Sequence, residues 1–170
     1  MIVIRESTLD DIPELQDIEV DAGELFRLVG LDTIADDDPP GASTLAQHIN
    51  VGTAWTAELD SVVTGYALAS EVDGMGHLDQ VSVRRAGAGR GIGRLLIDQV
   101  CLWATGRGYD ALTLTTFVDV PWNGPYYERL GFQRVPASGY GPQLERIRRL
   151  EGAAGLDVAP RAVMRLPLPR

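Results

Sequence analysis

The order of apolar patterns predicts a mixed α/β fold, a sheet with helices on both sides. Three observations carry that expectation. Two β-rich runs, Thr53–Leu59 and Val62–Val72, stand back to back around a polar Asp60-Ser61 turn, as a hairpin would. A third β-rich run, HLDQVSVR, passes through the glycine-rich stretch AGAGRGIG into a helix-period segment from Ile92 to Arg107. From there helix and strand alternate to the end of the chain, which is the pattern of a layered α/β sheet.

The elements follow in order. Ile2–Arg5 alternates apolar and polar residues and reads as a short strand. Ser7 or Thr8 caps a helix with acids crowding its first turn (Asp10, Asp11, Glu14) and Ile12, Leu15 and Ile18 at helical spacing. The pattern continues through Leu25, Phe26 and Val29 with a break expected near Gly23. The acidic Asp36-Asp37-Asp38-Pro39-Pro40 segment is a loop, either a lid or a solvated surface, and Ser43–Asn50 a short helix.

In HLDQVSVR, Leu78, Gln80 and Ser82 share one face, and His77, Asp79, Val81 and Val83 the other. The next helix is expected to turn Leu95, Leu96, Val100 and Trp103 inward and to end at Gly106 and Gly108. LTLTTFV is a strand, PWNGPYYERL a short helix opened by prolines, and GFQRV a strand. A polar helix near Gln143–Glu151 and a strand over Ala162–Leu166 close the chain.

The chain has 170 residues, so one core and a single domain over 1–170 are expected. No apolar run approaches the roughly 20 residues that cross a bilayer. Neither a basic leader nor an apolar signal core opens the sequence, so a cytoplasmic protein without a membrane role is expected. The lone Cys101 cannot form an internal disulfide and reads as a small buried hydrophobe rather than a nucleophile. With only His48 and His77 as imidazoles, no metal-ligand spacing appears and no metal is expected.

Every basic residue is Arg, which excludes a catalytic lysine. Residues 1–80 carry 17 acids against two Arg, a balance of −15, while residues 81–170 carry 13 Arg against seven acids, a balance of +6. That asymmetry suits either two ligand regions of opposite preference or two solvated surfaces without a ligand, and the net −9 disfavours nucleic acid.

The glycine stretch lets the backbone turn tightly and present several N–H groups at the positive end of a helix, a device that holds phosphate. It lacks the Lys-Ser/Thr ending of a P-loop and makes a poor dinucleotide fingerprint. Thirty residues on lies WNGPYYERLGF, Trp122–Phe132.

Together these segments resemble the two signatures of the GNAT acetyltransferases, the first being a Q/R-x-x-G-x-G/A loop after the fourth strand and the second an Asn followed by Tyr-x-x-x-Gly-Phe. The resemblance implies the GNAT acyltransferase fold, with a central, mostly antiparallel sheet and helices on both faces. It implies acetyl-CoA as cosubstrate, held by the loop Ala88, Gly89, Arg90, Gly91, Ile92, Gly93 and Arg94, by the strand edge at Val81 and Val83, and by Asn123 and Tyr127. Ala88 departs from the family's Gln/Arg position, which leaves Arg85, Arg90 or Arg94 to supply a side-chain contact. Tyr127 matches the Tyr that protonates the leaving thiolate, with Tyr126 as the packing neighbour.

HLDQVSV is similar to the HLHALAV of arylalkylamine acetyltransferases. His77 and Asp79 thereby become candidates for a proton relay; alternatively, His77 caps the strand and Asp79 binds the ammonium. The resemblance places Glu24, Phe26, Glu71 and Trp122 at the acceptor side, with Glu24 and Glu71 as reserve candidates for the base. Trp55 and Trp122 are each expected to be packing residues first and stacking partners second.

The acidic first half implies a small cationic amine, and TTFVDVPWNGPYYERLGF looks like a common bacterial subgroup. A protein or peptide N-acetyltransferase and a catalytically idle acyl-CoA-binding module are the competing readings. A homodimer is a further option, with RAVMRLPL as its apolar surface.

Overall fold

Strand β1, Ile2–Glu6, opens the molecule, and the computed structural model describes all residues from Met1 to Arg170. Thr8 then ends the extended stretch, its backbone N–H donating to Asp11 Oδ2 at 2.7 Å. A 3-10 turn over Leu9–Asp11 leads into α1, Ile12–Gly23, with Pro13 in the first turn where its missing N–H costs nothing. The break expected near Gly23 is real: Glu24–Val29 tightens into a 3-10 helix that Gly30 stops in the left-handed region. Short α2, Asp32–Ala35, and α3, Ala42–Asn50, complete the helical first third.

Strands β2, Ala54–Leu59, and β3, Val62–Val72, pair antiparallel, with Leu59 opposite Val62. Asp60 and Ser61 both take positive φ (51° and 68°), the two-residue geometry that matches strand twist. The remaining elements are β4, Met75–Val83; α4, Ile92–Gly106; β5, Ala111–Phe117; α5, Gly124–Arg129; β6, Gln133–Val135; α6, Pro142–Ala153; and β7, Arg161–Pro167. Hydrogen-bonded neighbours follow the order β1-β2-β3-β4-β5-β7-β6. The β4–β5 pair is parallel, while β1–β2, β2–β3, β5–β7 and β6–β7 are antiparallel.

The chain divides into two compact units: Met1–Ala69 with Leu78–Leu102, and Ser70–His77 with Trp103–Arg170. In the first, Leu15, Ile18, Leu45, Ala54, Tyr66 and Leu68 form a buried cluster. Helices cover both faces of β3 there. Tyr66 reaches α1 through Glu19, while its neighbour Gly65 lies against Ile92 and Leu96 of α4, and adjacent strand residues point to opposite faces.

The inner stripe of α4 is Ile92, Leu96, Val100 and Ala104, with Ile97 beside it. Leu95, expected inward, is instead 40% exposed, because it sits one residue, about 100° of helix rotation, off that stripe.

In the second unit the core gathers Val72, Leu144 and Val163, with Met75, Val135, Tyr140 and Ile147 packed against it. β7 lies between β5 and β6, and its Val163 and Met164 are buried. The apolar residues of RAVMRLPL at those positions therefore serve the chain's own core rather than a surface for a second copy. No helix is long and apolar enough to cross a membrane.

Candidate active site

In the first unit, β4 runs from Leu78 to Val83 into a 3-10 turn, Arg85–Gly87, and then into α4. Gly89 and Gly91 take φ of 75° and 80°, and no atom lies within 4 Å of where a Cβ would stand on either. Both are therefore open toward whatever the loop faces, in a conformation that L side chains rarely adopt. The first turn of α4 adds the amide N–H groups that a helix start leaves without intrahelical partners. Val81 and Val83 are half-buried, as are Gly93 and Arg84, while Ala88, Arg90 and Arg94 are exposed and Ile92 is buried in the core.

The three arginines proposed to stand in for the side chain absent at Ala88 differ in freedom. Arg85 is engaged by Asp21: its backbone N–H donates to Oδ2 at 2.7 Å, and its Nε and Nη2 donate to Oδ1 at 3.1 and 3.0 Å. Arg94 faces Asp98 only loosely, at 3.9 Å, with both side chains exposed. Arg90 and Arg94 are thus the two that can turn to an anion at little cost.

Helix α1 holds the segment that leads into this loop. Glu19 accepts hydrogen bonds from Tyr66 Oη (2.8 Å), Ser82 Oγ (2.6 Å) and Gln80 Nε2 (2.9 and 3.1 Å). Arg84 pairs with Glu14 of the same helix. Burial, then the charge and hydrogen bond of Glu19, push the Tyr66 hydroxyl far above the usual phenol range, so it stays a donor. Sequence spacing missed this group. Its one visible trace is an acid at the edge of the Leu15–Ile18 apolar stripe. Asp79 of β4 is exposed, Glu24 pairs with Arg27 at 2.9 Å, and Phe26 is half-buried.

In the second unit, Asn123 precedes α5, and its carbonyl accepts the Tyr127 N–H at 3.0 Å. Gly124 passes so close to the chain at the end of β5 that a Cβ would stand 2.5 Å from the Val118 carbonyl oxygen, which fixes glycine there. Tyr127 is 7% exposed, edge-on to Tyr126 and Phe132 with ring centroids 5.6 Å away in each case. Burial, and to a lesser degree Tyr126, raises its hydroxyl pKa, so the phenol carries its proton throughout the working pH range. Asn123 Nδ2 donates to the Trp122 carbonyl at 3.3 Å, while its Oδ1 is buried without a partner.

His77 is 3% exposed with Nδ1 2.8 Å from Thr113 Oγ1. Thr113 was not singled out by sequence; parallel pairing of His77 with Thr113 brings it there. Glu71 accepts the Tyr109 hydroxyl at 2.6 Å, and Trp122 is half-buried. Trp55, in the first unit, is buried as packing. Cys101 is half-buried, and burial with nearby Asp98 pushes its thiol up to about 11, the state of an inert thiol.

The sequence profile described as the Acetyltransferase (GNAT) family matches residues 16–132, from α1 through the YYERLGF run. The chain belongs to that family. It is an acetyl-CoA-dependent N-acetyltransferase.

Solved structures repeat the GNAT fold. A GNAT family acetyltransferase from Staphylococcus aureus is 15% identical with TM-score 0.74, covering 99% of this chain and 100% of that one. The PaiA N-acetyltransferase of Thermoplasma acidophilum, solved with coenzyme A, is 12% identical with TM-score 0.73, over 98% and 99%. The ribosomal-protein-S18-alanine N-acetyltransferase of Escherichia coli is 19% identical with TM-score 0.69, over 100% and 96%.

The residues present fit the cosubstrate that the GNAT family implies. The open, left-handed Gly89 and Gly91 at the start of α4 suit a pyrophosphate. The buried, unpartnered Asn123 Oδ1 suits an amide N–H such as pantetheine carries.

Proposed function

We propose that this enzyme acetylates a primary amine on a small cationic molecule, that the two units work as a single acyltransferase domain, and that Tyr127 is its proton donor. Acetyl-CoA supplies a thioester carbonyl for the amine to attack and a sulfur that leaves. The loop from Ala88 to Arg94 holds the phosphates through backbone N–H groups, and Val81 and Val83 offer strand-edge groups to the pantetheine arm. Asn123 fixes the arm through Oδ1. Tyr127, kept protonated by its apolar surroundings, holds its proton ready for the departing sulfur.

His77 and Asp79 take part in deprotonating the ammonium, Asp79 from its exposed position and His77 from its buried one beside Thr113. Glu24, Phe26, Glu71 and Trp122 shape the acceptor side. One observation carries the acceptor class: the balance of −15 over residues 1–80 draws cations by its long-range field. The TTFVDVPWNGPYYERLGF run supports a bacterial-type enzyme.

A second reading has its own support. The Escherichia coli neighbour acts on the alanine of ribosomal protein S18, which favours a peptide N-terminus as acceptor. Thiol release from acetyl-CoA across polyamines, arylalkylamines, aminoglycosides, amino acids and N-terminal peptides separates the two. Turnover on a cationic small amine, declining as salt rises, is expected. Turnover confined to peptides selects the second reading. Tight acetyl-CoA binding with no acceptor turned over would leave an idle acyl-CoA-binding module.

A further inference from the structure

Glu19 is an unusual residue for its place. It stands on α1 beside Leu15 and Ile18, in the unit whose buried cluster also contains Tyr66 and Leu68. Every hydrogen bond it accepts comes from a neutral group: the Tyr66 hydroxyl, the Ser82 hydroxyl and the Gln80 amide. A half-buried carboxylate without a cation costs more than an apolar side chain of similar size, so packing alone would not favour it. Each of its donors lies on a strand, Tyr66 on β3 and the other two on β4.

The network is also closed on itself, because Gln80 Nε2 lies 3.0 Å from Ser82 Oγ. Gln80 and Ser82 flank Val81, and two further contacts from α1 follow at once: Glu14 with Arg84, and Asp21 with the backbone and guanidinium of Arg85. Residues 80–85 are therefore gripped along the whole approach to the glycine loop. The middle grip differs from the others in being made by neutral donors, which fix direction without adding charge.

We propose that Glu19 is a positioning residue for the donor strand: through Gln80 and Ser82 it sets the backbone at Val81–Val83, and with it the entry to the glycine loop, in the conformation that receives acetyl-CoA. The inference rests on the assignment of that strand and loop to the cosubstrate. It implies that Glu19 touches neither substrate and acts only through its two β4 partners. A displacement of the strand edge of about 1 Å is enough to matter at a binding site of this kind.

Electrostatics gives the test a sign. Coenzyme A is a polyanion, so neutralising an acid near it tightens binding if charge is all that changes. Positioning demands the reverse. Acetyl-CoA is titrated calorimetrically into wild type, Glu19→Gln, Ser82→Ala and Asp17→Asn, the last an exposed acid on the same helix. Melting temperatures are recorded alongside, and KM for acetyl-CoA is compared with kcat.

Glu19→Gln is expected to weaken binding about tenfold and to raise KM more than it lowers kcat. Ser82→Ala, which removes one donor and no charge, is expected to weaken binding a few-fold, and it carries the test should Glu19→Gln fold poorly. Asp17→Asn should match wild type. Folded Glu19→Gln or Ser82→Ala protein that binds acetyl-CoA as tightly as wild type, or more tightly, overturns the proposal even if its melting temperature has dropped. Wild type that fails to bind acetyl-CoA would instead remove the donor-site assignment beneath it, a result visible before any variant is made.

Discussion

The two units differ in the form of their proposed functional parts. In the first, the loop at Gly89 and Gly91 offers backbone in a left-handed conformation, with no atom within 4 Å of where a Cβ would stand on either and with the Ala88 and Arg90 side chains exposed. In the second, the corresponding feature is one oxygen atom on a buried ring, Tyr127, wedged edge-on between Tyr126 and Phe132. A backbone site tolerates side-chain change and is broken by conformation. A side-chain site is broken by deleting a single atom. The difference predicts opposite mutational behaviour on the two sides.

The sharpest form of that contrast is Tyr127→Phe. The ring contacts survive, so the melting temperature should barely move, while kcat should fall about 10²–10⁴-fold, the range for a lost general acid. Thiol-release kinetics alongside thermal unfolding checks both halves, and an unchanged kcat would return Tyr127 to packing alone.

Next in size is Glu151→Ala, which probes what a carboxylate does when its partners are cations. Glu151 accepts from Arg148 at 2.9 Å and from Arg161 at 3.0 Å, with Thr115 Oγ1 at 2.6 Å. The Arg161 and Arg148 side chains are only 9% and 19% exposed. Removing the acid leaves the partly buried Arg161 guanidinium without a carboxylate, while Arg148 keeps Asp157 at 2.9 Å, and about 3 kcal/mol of stability should go, read by denaturant unfolding. Set beside Glu19, whose donors Tyr66, Gln80 and Ser82 are all neutral, Glu151 shows what a carboxylate does when its partners are cations.

The sequence made the element order legible because apolar periods of two and 3.6 residues survive in β3, α4 and β5. It placed the glycine loop because a backbone site leaves its mark in composition. Leu95 misled because the edge of an amphipathic stripe is ambiguous by one residue, and only the packing of Ile92 and Leu96 on Gly65 settles the helix rotation. Tyr127 stands out from its neighbours only through its motif, since in isolation YYERLGF reads as core, and the ring is indeed buried. Glu19 could not be found, because its β4 partners lie more than 60 residues away and no local spacing relates them. His77 lies on β4 as the sequence pattern places it, yet its burial beside Thr113 depends on strand pairing that the sequence does not spell.

The backbone side of the comparison makes two smaller predictions. Gly91→Ala meets no steric obstacle, but it places an L residue at φ near 80°, which costs about 1–2 kcal/mol or pulls the loop into another conformation. Acetyl-CoA affinity should fall roughly tenfold, the equivalent of that cost. Arg90→Ala and Arg94→Ala should each cost only about two- to threefold, and that loss should vanish at high salt, as exposed charges are screened. A large, salt-resistant loss at Arg90 would mean that a side chain does replace what Ala88 lacks, and the contrast between the units would be weaker than drawn.

The smallest expected effect concerns acid stability in the first unit, where Arg5 of the N-terminal strand is tied by charge to the turn that precedes α1. Arg5 donates Nη1 and Nη2 to the two Asp11 oxygens at 2.8 and 2.9 Å, and Nε to Glu58 at 2.7 Å. The Arg5 hydrogen bonds, and after them the Thr8 N–H, hold the Asp11 carboxyl below its ordinary range against the opposing effect of burial. A carboxyl whose folded pKa is depressed contributes stability above its unfolded value, about 4, and that contribution drains away as pH falls through the lower folded value. The stability gap between wild type and Arg5→Ala should accordingly be widest near neutrality and narrow as pH falls below about 4. Denaturant midpoints measured at intervals down that range test the sign. A gap that stays constant with pH would show that Arg5 acts there by packing its stem rather than by holding Asp11 ionised.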